Sequence, residues 1–265
     1  HKVSKYISPQ IWESIFSGRK DVQLETQRKK LVVFFSDIVG FTALSEQMEA
    51  ENLTDVLNSY LTDMSKIALK HGGTIDKFIG DSVMIFFGDP ATNGTKQDAF
   101  ACLSMAIEMR RHMQILRKRW VDQGINASLQ IRMGINTGYC TVGNFGTENR
   151  MDYTIIGQEV NLASRLESNA ESGEILISEE TYHLVKDKIM CSLKGKVSMK
   201  GISKPVDTYQ VVDFRHDLGA NPSFIEHDSE GFSLYLDTQK IKSYDQKRVA
   251  EALERAAKKI REKVI

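Results

Sequence analysis

Two aspartates lie at the ends of apolar, strand-like stretches, each in or beside a short turn that contains glycine. Asp37 follows the apolar run 31–35, and Asp81 follows Gly80 between two short β-rich pieces. If the two strands are neighbours, both carboxylates project from one edge of the sheet, where like charges raise a pKa or require a cation. Carboxylate oxygens are ligands that Mg²⁺ and Mn²⁺ prefer. The alternative is two unrelated turn residues, with Asp37 capping the next helix.

The segment after the first aspartate could bind phosphate. A run of backbone N–H groups leads into a helix start there, from Ile38, Val39, Gly40, Phe41 and Thr42. Such a turn can cradle a phosphate with the help of the helix dipole, and Gly40 lets the backbone approach closely. Carboxylates beside a phosphate cradle indicate phosphoryl or nucleotidyl transfer. The Walker A lysine motif is absent, which argues against a P-loop nucleotidase.

A third group of polar residues lies in the stretch GQEVNLASRLES. Asn161 and Arg165 are four residues apart, so on a helix they share one face. Arg165 could stabilise charge that develops on a phosphate. An Asn and an Arg on one helix face are usually just solvated, so this pair alone does not indicate a site.

The elements that must position these residues alternate along the chain. Residues 74–79 and 82–87 read as a hairpin around Gly80-Asp81, between predicted helices at about 49–70 and 96–122. The full predicted order, β-α-ββ-α-β-β-α-β-α-β, ends at the strand VDTYQVVD. It favours a mixed α+β sheet with helices packed on one face. Residues 214–230 read as a polar linker, followed by a strand over FSLYLD and an amphipathic terminal helix.

Composition excludes several classes of protein. The chain has 265 residues with 41% apolar and 26% charged content, which is ordinary for a soluble globular protein. Its 35 basic and 35 acidic residues balance, so we expect no nucleic-acid partner. Three widely spaced cysteines favour a reducing, cytoplasmic setting. No stretch is apolar for long enough to span a bilayer, and we expect no membrane contact from this segment. Because the chain begins with His1, we expect it to be cut from a longer protein, whose other parts could tether it to a membrane.

Five motifs occur in a characteristic order: FFSDIVGFT, GGTIDKFIGDSVM, GINTGYCTVGNFG, MDYTIIGQEVNLASRLES and SMKGISKPV. Together they resemble the class III adenylate and guanylate cyclase catalytic domain, most closely the bacterial adenylate cyclases of cyanobacterial type. The resemblance covers 31–213 and implies a ferredoxin-like α+β fold, a mixed sheet with helices packed on it. Residues 1–30 would then connect to an upstream regulatory or sensor domain, and 214–265 would be a linker and a strand–helix extension of unknown role.

The resemblance gives the aspartates a role. Asp37 and Asp81, with the carbonyl of Ile38, would hold two divalent ions, Mg²⁺ or Mn²⁺, in each active site. The turn from Ile38 through Gly40 and Phe41 to Thr42 would wrap the β- and γ-phosphates of the substrate.

The resemblance also assigns the remaining site residues. Asn161 would orient the ribose, Arg165 would stabilise the α-phosphoryl transition state, and Lys200 would bind the terminal phosphates. Lys77 would meet adenine N1, where a guanylate cyclase carries a glutamate. Thr154 would accept from the adenine 6-amino group. Without the motif, Lys77 would read as an exposed strand lysine.

The implied function is an adenylate cyclase that makes 3′,5′-cyclic AMP and pyrophosphate from ATP. The ribose 3′-hydroxyl would attack the α-phosphate with the help of two metal ions. The active sites would be shared across a homodimer, with the metal-binding acids of one subunit facing the base-reading and ribose-binding residues of the other. The alternatives are a guanylate cyclase, against which Lys77 argues, a non-catalytic nucleotide-sensing module, and a pure dimerisation module.

Overall fold

The apolar run before Asp37 forms the central strand of a sheet. In the computed structural model it is β1 (Thr26–Ile38), which pairs antiparallel with β3 (Ser82–Phe87) on one side and with β4 (Ile131–Thr147) on the other. Residues 31–34 are fully buried, because a strand with neighbours on both sides and packing on both faces has no contact with water. The strand extends beyond the predicted 31–35 because its polar start also pairs with β4.

The structure describes residues 7–18, 25–125, 129–197, 205–218, 224–229, 232–238 and 241–263. The chain divides into two compact units, His1–Asp213 and Phe214–Ile265. Lys200, which the sequence analysis assigned to phosphate binding, lies outside the described residues.

The first unit contains an eight-stranded sheet. Its strand order is β2-β3-β1-β4-β6-β8-β7, and β5 pairs with β4 away from this path. The remaining strands are β2 (Thr74–Ile79), β5 (Arg150–Ile156), β6 (Ile175–Ser178), β7 (Ile189–Val197) and β8 (Val206–Phe214). Since β6 runs parallel to β4 and the other described pairings are antiparallel, the sheet is mixed. The predicted α+β class with a mixed sheet is confirmed, and the 74–79 and 82–87 hairpin has the predicted bounds. The sequence analysis missed β7.

Helices cover both faces of this sheet. They are α1 (Pro9–Phe16), α2 (Phe41–Gln47), α3 (Ala50–Lys70), α4 (Thr95–Asp122), α5 (Gln158–Asn169) and α6 (Glu179–Val185). Asn136 of β4 donates to Glu159 of α5, whereas the next residue, Thr137, contacts Thr181 of α6 at 2.9 Å. Successive strand residues point to opposite faces, so α5 lies on the face opposite to α6. The prediction that the helices pack on one face is therefore wrong.

Glycines in β4 allow α5 to approach the sheet. A Cβ on Gly134 would collide with the backbone nitrogen of Glu167 and lie 2.5 Å from the carbonyl oxygen of Ala163. A Cβ on Gly138 would lie 2.5 Å from a side-chain carbon of Glu159. The helix backbone therefore rests against the strand at a position where only glycine fits.

The second unit is built from α7 (Arg215–Leu218), β9 (Phe224–Ser229), β10 (Phe232–Asp237) and α8 (Gln246–Lys263). Its two strands pair antiparallel, with Phe232 opposite Ser229 and Asp237 opposite Phe224. The predicted strand over FSLYLD and the terminal helix are present. Strand β9 lies within 214–230, which was predicted to be a linker. Its largely polar composition does not predict a strand, which forms because β10 pairs with it.

Among the described residues, none of the helices combines the length and the apolar character that crossing a membrane requires.

Replacing Gly134 by alanine should destabilise the first unit strongly. The new methyl group would meet helix backbone, which cannot move aside without displacing α5, so we expect a loss of about 3 kcal/mol or more in the free energy of unfolding. Gly138→Ala is the matched control on the same strand, because it meets a side chain that can rotate. Urea unfolding measures both variants. Equal losses would contradict a backbone contact specific to Gly134.

Candidate active site

The structure brings the two turn aspartates together. Asp37 is the penultimate residue of β1, and Asp81 lies in the turn between β2 and β3. Ser36 pairs with Val83 across the two antiparallel strands, so the end of β1 lies beside the β2–β3 turn. The backbone N–H of Ile38 donates to Oδ2 of Asp81 at 2.8 Å. The strands that precede the two aspartates, β1 and β2, are not neighbours, because β3 lies between them; it is the start of β3 that brings Asp81 to the end of β1.

The proposed phosphate turn uses some of its N–H groups internally. The N–H of Ile38 is engaged by Asp81, and that of Val39 donates to the carbonyl of Gln130 at 2.9 Å. Gly40 then takes a left-handed backbone with φ of 75° and leads into α2. A side chain would be strained at that angle. The N–H groups that could hold a phosphate would therefore come from Gly40 onward, including those of Phe41 and Thr42.

An arginine that the sequence analysis missed binds Asp37. Arg132 of β4 lies directly opposite Asp37 in the strand register. Its Nε donates to Oδ1 of Asp37 at 2.8 Å and its Nη2 to Oδ2 at 2.9 Å. The same Nε lies 2.9 Å from Oε1 of Glu167 on α5. Arg132 thus joins the carboxylate at the strand end to a second, buried carboxylate on the covering helix.

The acids at this edge of the sheet repel one another. Burial raises the pKa of Asp81 above its usual range, opposed by the Ile38 N–H, and the negative charge of Asp37 raises it further. Burial, followed by the charge of Asp37, raises the pKa of Glu167 to about 7. Burial likewise raises the pKa of Tyr60, whose hydroxyl lies 3.4 Å from that of Ser36. Burial is the largest cause of each rise and the charge of Asp37 adds to it, so a cation bound at this edge would lower these pKa values.

The donors at this edge fit a hard divalent cation. They are the two aspartate carboxylates and the nearby backbone carbonyl of Ile38. Mg²⁺ is commonly held by one or two carboxylates, with water and substrate phosphates completing its shell. Within the described ranges no group of three or more His, Cys, Asp or Glu residues is placed to hold a metal. An ion held by the two aspartates would need further ligands from water or from a bound phosphate.

The two predicted base-reading residues are joined by a third. Thr154 of β5 is buried, and its hydroxyl donates to Oδ2 of Asp76 at 2.6 Å. The ammonium of Lys77 lies 3.4 Å from Oδ1 of the same carboxylate. The side chain of Lys77 is 43% exposed and that of Asp76 only 1%. Lys77 and Thr154 thus come from separate strands to one point, and the sequence analysis missed the aspartate between them.

Helix α5 places Asn161 and Arg165 on its outer side. Its buried residues are Val160, Ala163, Leu166 and Glu167, which face the sheet. Asn161 is exposed and Arg165 is half-buried. At 100° per residue, Arg165 points about 200° away from Glu167. Because Glu167 faces the Asp37 group, Arg165 points away from the acids of its own chain.

Known proteins resemble this chain over its first unit. A family model, "Adenylate and Guanylate cyclase catalytic domain", matches residues 24–213. A curated relative, "Adenylate cyclase, terminal-differentiation specific" from Dictyostelium discoideum, is 34% identical over 218 residues. That alignment covers 80% of this chain but only 10% of the relative. The chain therefore spans a small part of that curated relative.

Solved structures of similar fold include cyclases named for both nucleotides. The adenylyl cyclase CyaB from P. aeruginosa shares 71% identity with a TM-score of 0.71, covering 74% of this chain and 100% of that one. The guanylyl cyclase Cya2 shares 33% identity with a TM-score of 0.68, covering 72% and 95%. Since an adenylyl cyclase and a guanylyl cyclase share this fold, the fold does not determine which base a member binds.

Glu167→Gln should stabilise the metal-free chain at pH 8 but not at pH 5. The pKa of this carboxyl is raised from 4.5 to about 7, so the folded state binds more protons than the unfolded state between these values. Stability contributed by the protonated carboxyl is present at low pH and is lost as the pH rises through this window. We expect a gain of about 1–3 kcal/mol in the free energy of unfolding at pH 8.

Urea unfolding in the presence of a chelator measures this difference at both pH values. The matched control is Glu148→Gln, since Glu148 is exposed and should show no gain at either pH. A gain of equal size at pH 5 and pH 8 would show that the effect of Glu167→Gln does not come from its charge.

Proposed function

The chain belongs to the adenylate and guanylate cyclase catalytic domain family, and from this membership we propose that it is an adenylate cyclase. It would convert ATP into 3′,5′-cyclic AMP and pyrophosphate, with residues 31–213 as the catalytic domain. The observation that carries the choice of nucleotide is the group of Lys77, Asp76 and Thr154. A cationic donor and a hydroxyl oxygen that can accept lie together, which matches adenine N1 and the adenine 6-amino group.

The acids at the end of β1 are proposed to hold the metal. Asp37, Asp81 and the carbonyl of Ile38 would bind two divalent ions, Mg²⁺ or Mn²⁺. When bound, such ions neutralise charge on the triphosphate and make the ribose 3′-hydroxyl a better nucleophile. The placement of Asp37 and Asp81 at one edge of the sheet supports this assignment, because acids held close together favour a bound cation.

The remaining residues would position the substrate. The backbone N–H groups from Gly40 to Thr42 would hold the β- and γ-phosphates at the start of α2, together with Lys200. Asn161 would orient the ribose. Arg165 would stabilise the α-phosphate as the bond to the 3′-oxygen forms and the bond to pyrophosphate breaks. Catalysis of this kind consists mainly of positioning and charge stabilisation.

The active site is proposed to be shared between two copies of the chain. Support comes from α5, whose Arg165 points away from the acids of its own subunit while Glu167 faces them. Apolar side chains near the base-reading group are also exposed, including Phe78 at 44%, Ile79 at 59% and Ile156 at 50%. Exposed apolar groups clustered in this way suit a subunit interface. A two-fold dimer would carry two equivalent sites.

Product identification tests the proposed activity. The chain is incubated with ATP or GTP and with Mg²⁺ or Mn²⁺, and the products are separated by chromatography. We expect cyclic AMP and pyrophosphate from ATP, and much less cyclic GMP from GTP. Preferential formation of cyclic GMP would favour the guanylate cyclase alternative, and nucleotide binding without any cyclic product would favour a sensing module.

Two inactive variants should restore activity when mixed. Asp37→Ala and Arg165→Ala should each be inactive. The first variant loses a proposed metal ligand, and the second loses the cation proposed to stabilise the transition state. In mixed dimers one site inherits both defects and the other inherits neither. Random pairing makes about half of the dimers mixed, so roughly a quarter of wild-type activity should return.

The matched control for this mixing experiment combines Asp37→Ala with Asp81→Ala. Both substitutions fall on the metal side, so every mixed dimer has two defective sites and no activity should return. Differently tagged chains and a pull-down verify that subunits exchange. If exchange occurs and the Asp37→Ala and Arg165→Ala mixture stays inactive, the site lies within one chain.

Exchanging the base-reading pair should weaken ATP turnover. Lys77→Glu combined with Thr154→Cys removes the donor to N1 and the hydroxyl acceptor, so kcat/KM for ATP should fall at least about 100-fold. A gain with GTP should be smaller than this loss, because Asp76 remains beside the new acid. Lys118→Glu, an exposed charge reversal on α4, is the control. An unchanged preference for ATP would show that Lys77 and Thr154 do not read the base.

A further inference from the structure

Asp76 occupies an irregular position in β2. Ile75 pairs with Ile85 and Lys77 pairs with Met84, so the register shifts at Asp76 and one extra residue is inserted. In a regular strand, Asp76 and Lys77 would point to opposite faces of the sheet. A bulge redirects side chains, and bulges are common beside active sites. Here the bulge lets the carboxylate of Asp76 lie within 3.4 Å of the Lys77 ammonium.

The contact with Thr154 determines which way that hydroxyl can hydrogen-bond. A hydroxyl has one proton to donate, and an ionised carboxylate can only accept. The Thr154 hydroxyl uses its one proton to donate a hydrogen bond to Oδ2 of Asp76 at 2.6 Å. Its remaining lone pairs can therefore accept from a ligand, but the hydroxyl cannot also donate to one.

The surroundings of Asp76 keep its carboxylate in this role. Its side chain is 1% exposed, and Oδ1 is a buried oxygen without a hydrogen-bond partner in the described part of the chain. Burial raises the pKa of Asp76, while Thr154, Lys77 and the Ile155 N–H oppose that rise. The ammonium of Lys77 lies beside this buried carboxylate and carries only donors.

We propose that Asp76 is a positioning residue for both base contacts: it fixes Thr154 as an acceptor and holds the ammonium of Lys77, which can only donate, at the same point. This inference rests on the proposed function and deepens it. Adenine presents an acceptor at N1 and a donor at its 6-amino group, which match the pair. A 6-oxopurine presents N1–H and a carbonyl oxygen, so both contacts would be mismatched. Discrimination at the 6-position would follow from Asp76, which would not touch the base itself.

The test compares ATP with inosine triphosphate, which carries the 6-oxo group and lacks the 2-amino group of guanine. The full chain is assayed with each nucleotide and Mn²⁺, and the readout is the ratio of the two kcat/KM values. Asp76→Asn should lower this ratio by about tenfold, because the amide NH₂ can face Thr154 and release the hydroxyl to donate. Asp76→Ala, which removes the acceptor, should lower the ratio as well and serves if the first variant does not fold.

A second arm asks whether Asp76 acts through Thr154. In a Thr154→Val background the hydroxyl is gone, so Asp76→Asn should change the ratio by less than half of its original effect on a logarithmic scale. Asp152→Asn is the matched control: this acid is exposed on the same strand as Thr154, and the ratio should not change.

The outcomes separate the inference from the function it rests on. A wild-type chain that forms cyclic AMP, together with folded Asp76 variants whose activity falls equally with both nucleotides, would overturn the inference and leave the proposed function intact. That pattern would mean that Asp76 only supports the fold. A wild-type chain that forms no cyclic product from ATP would overturn the proposed function and the inference with it.

Discussion

Three acids, Asp37, Asp81 and Glu167, meet partly buried at the end of β1, and their need for compensating partners is the constraint around which this edge of the molecule is organised. Sheet pairing brings the carboxylates of Asp37 and Asp81 together, and the fold offsets their charge with the backbone N–H of Ile38 and the guanidinium of Arg132. Each of these donors comes from an element that must be in register for the contact to form. These contacts therefore form only when β1, β3 and β4 pair in the correct register. Acids held close together also favour a bound cation.

Helix α5 links this edge to the residues proposed to bind the ribose and the α-phosphate. Its inner side rests on Gly134 and supplies Glu167 to the acidic group. Its outer side carries Asn161 and Arg165. Since an α-helix turns 100° per residue, one short helix presents these two functions in nearly opposite directions. This geometry is the physical reason to expect that a second copy of the chain completes the site.

The base-reading group shows how specificity can depend on a residue that would not touch the ligand. Thr154 alone could donate or accept, and so would tolerate an amino or an oxo substituent on a purine. A buried carboxylate beside it removes that freedom, because the position of a single proton decides the direction of the hydrogen bond. The bulge in β2 makes this contact available by turning Asp76 toward its neighbour Lys77.

The sequence by itself determined the apolar central strand, the hairpin around Gly80 and the residue types that suit metal, phosphate and base. These are local signals, carried by short motifs with fixed spacing. The tertiary structure alone decided that Arg132 reaches Asp37, that Glu167 joins them, and that Asp76 lies between Lys77 and Thr154. Each of these contacts links residues far apart in the chain or depends on a register shift, and no periodicity in the sequence encodes either. Strand β9 is a further example: its residues are largely polar, and they form a strand because β10 pairs with them.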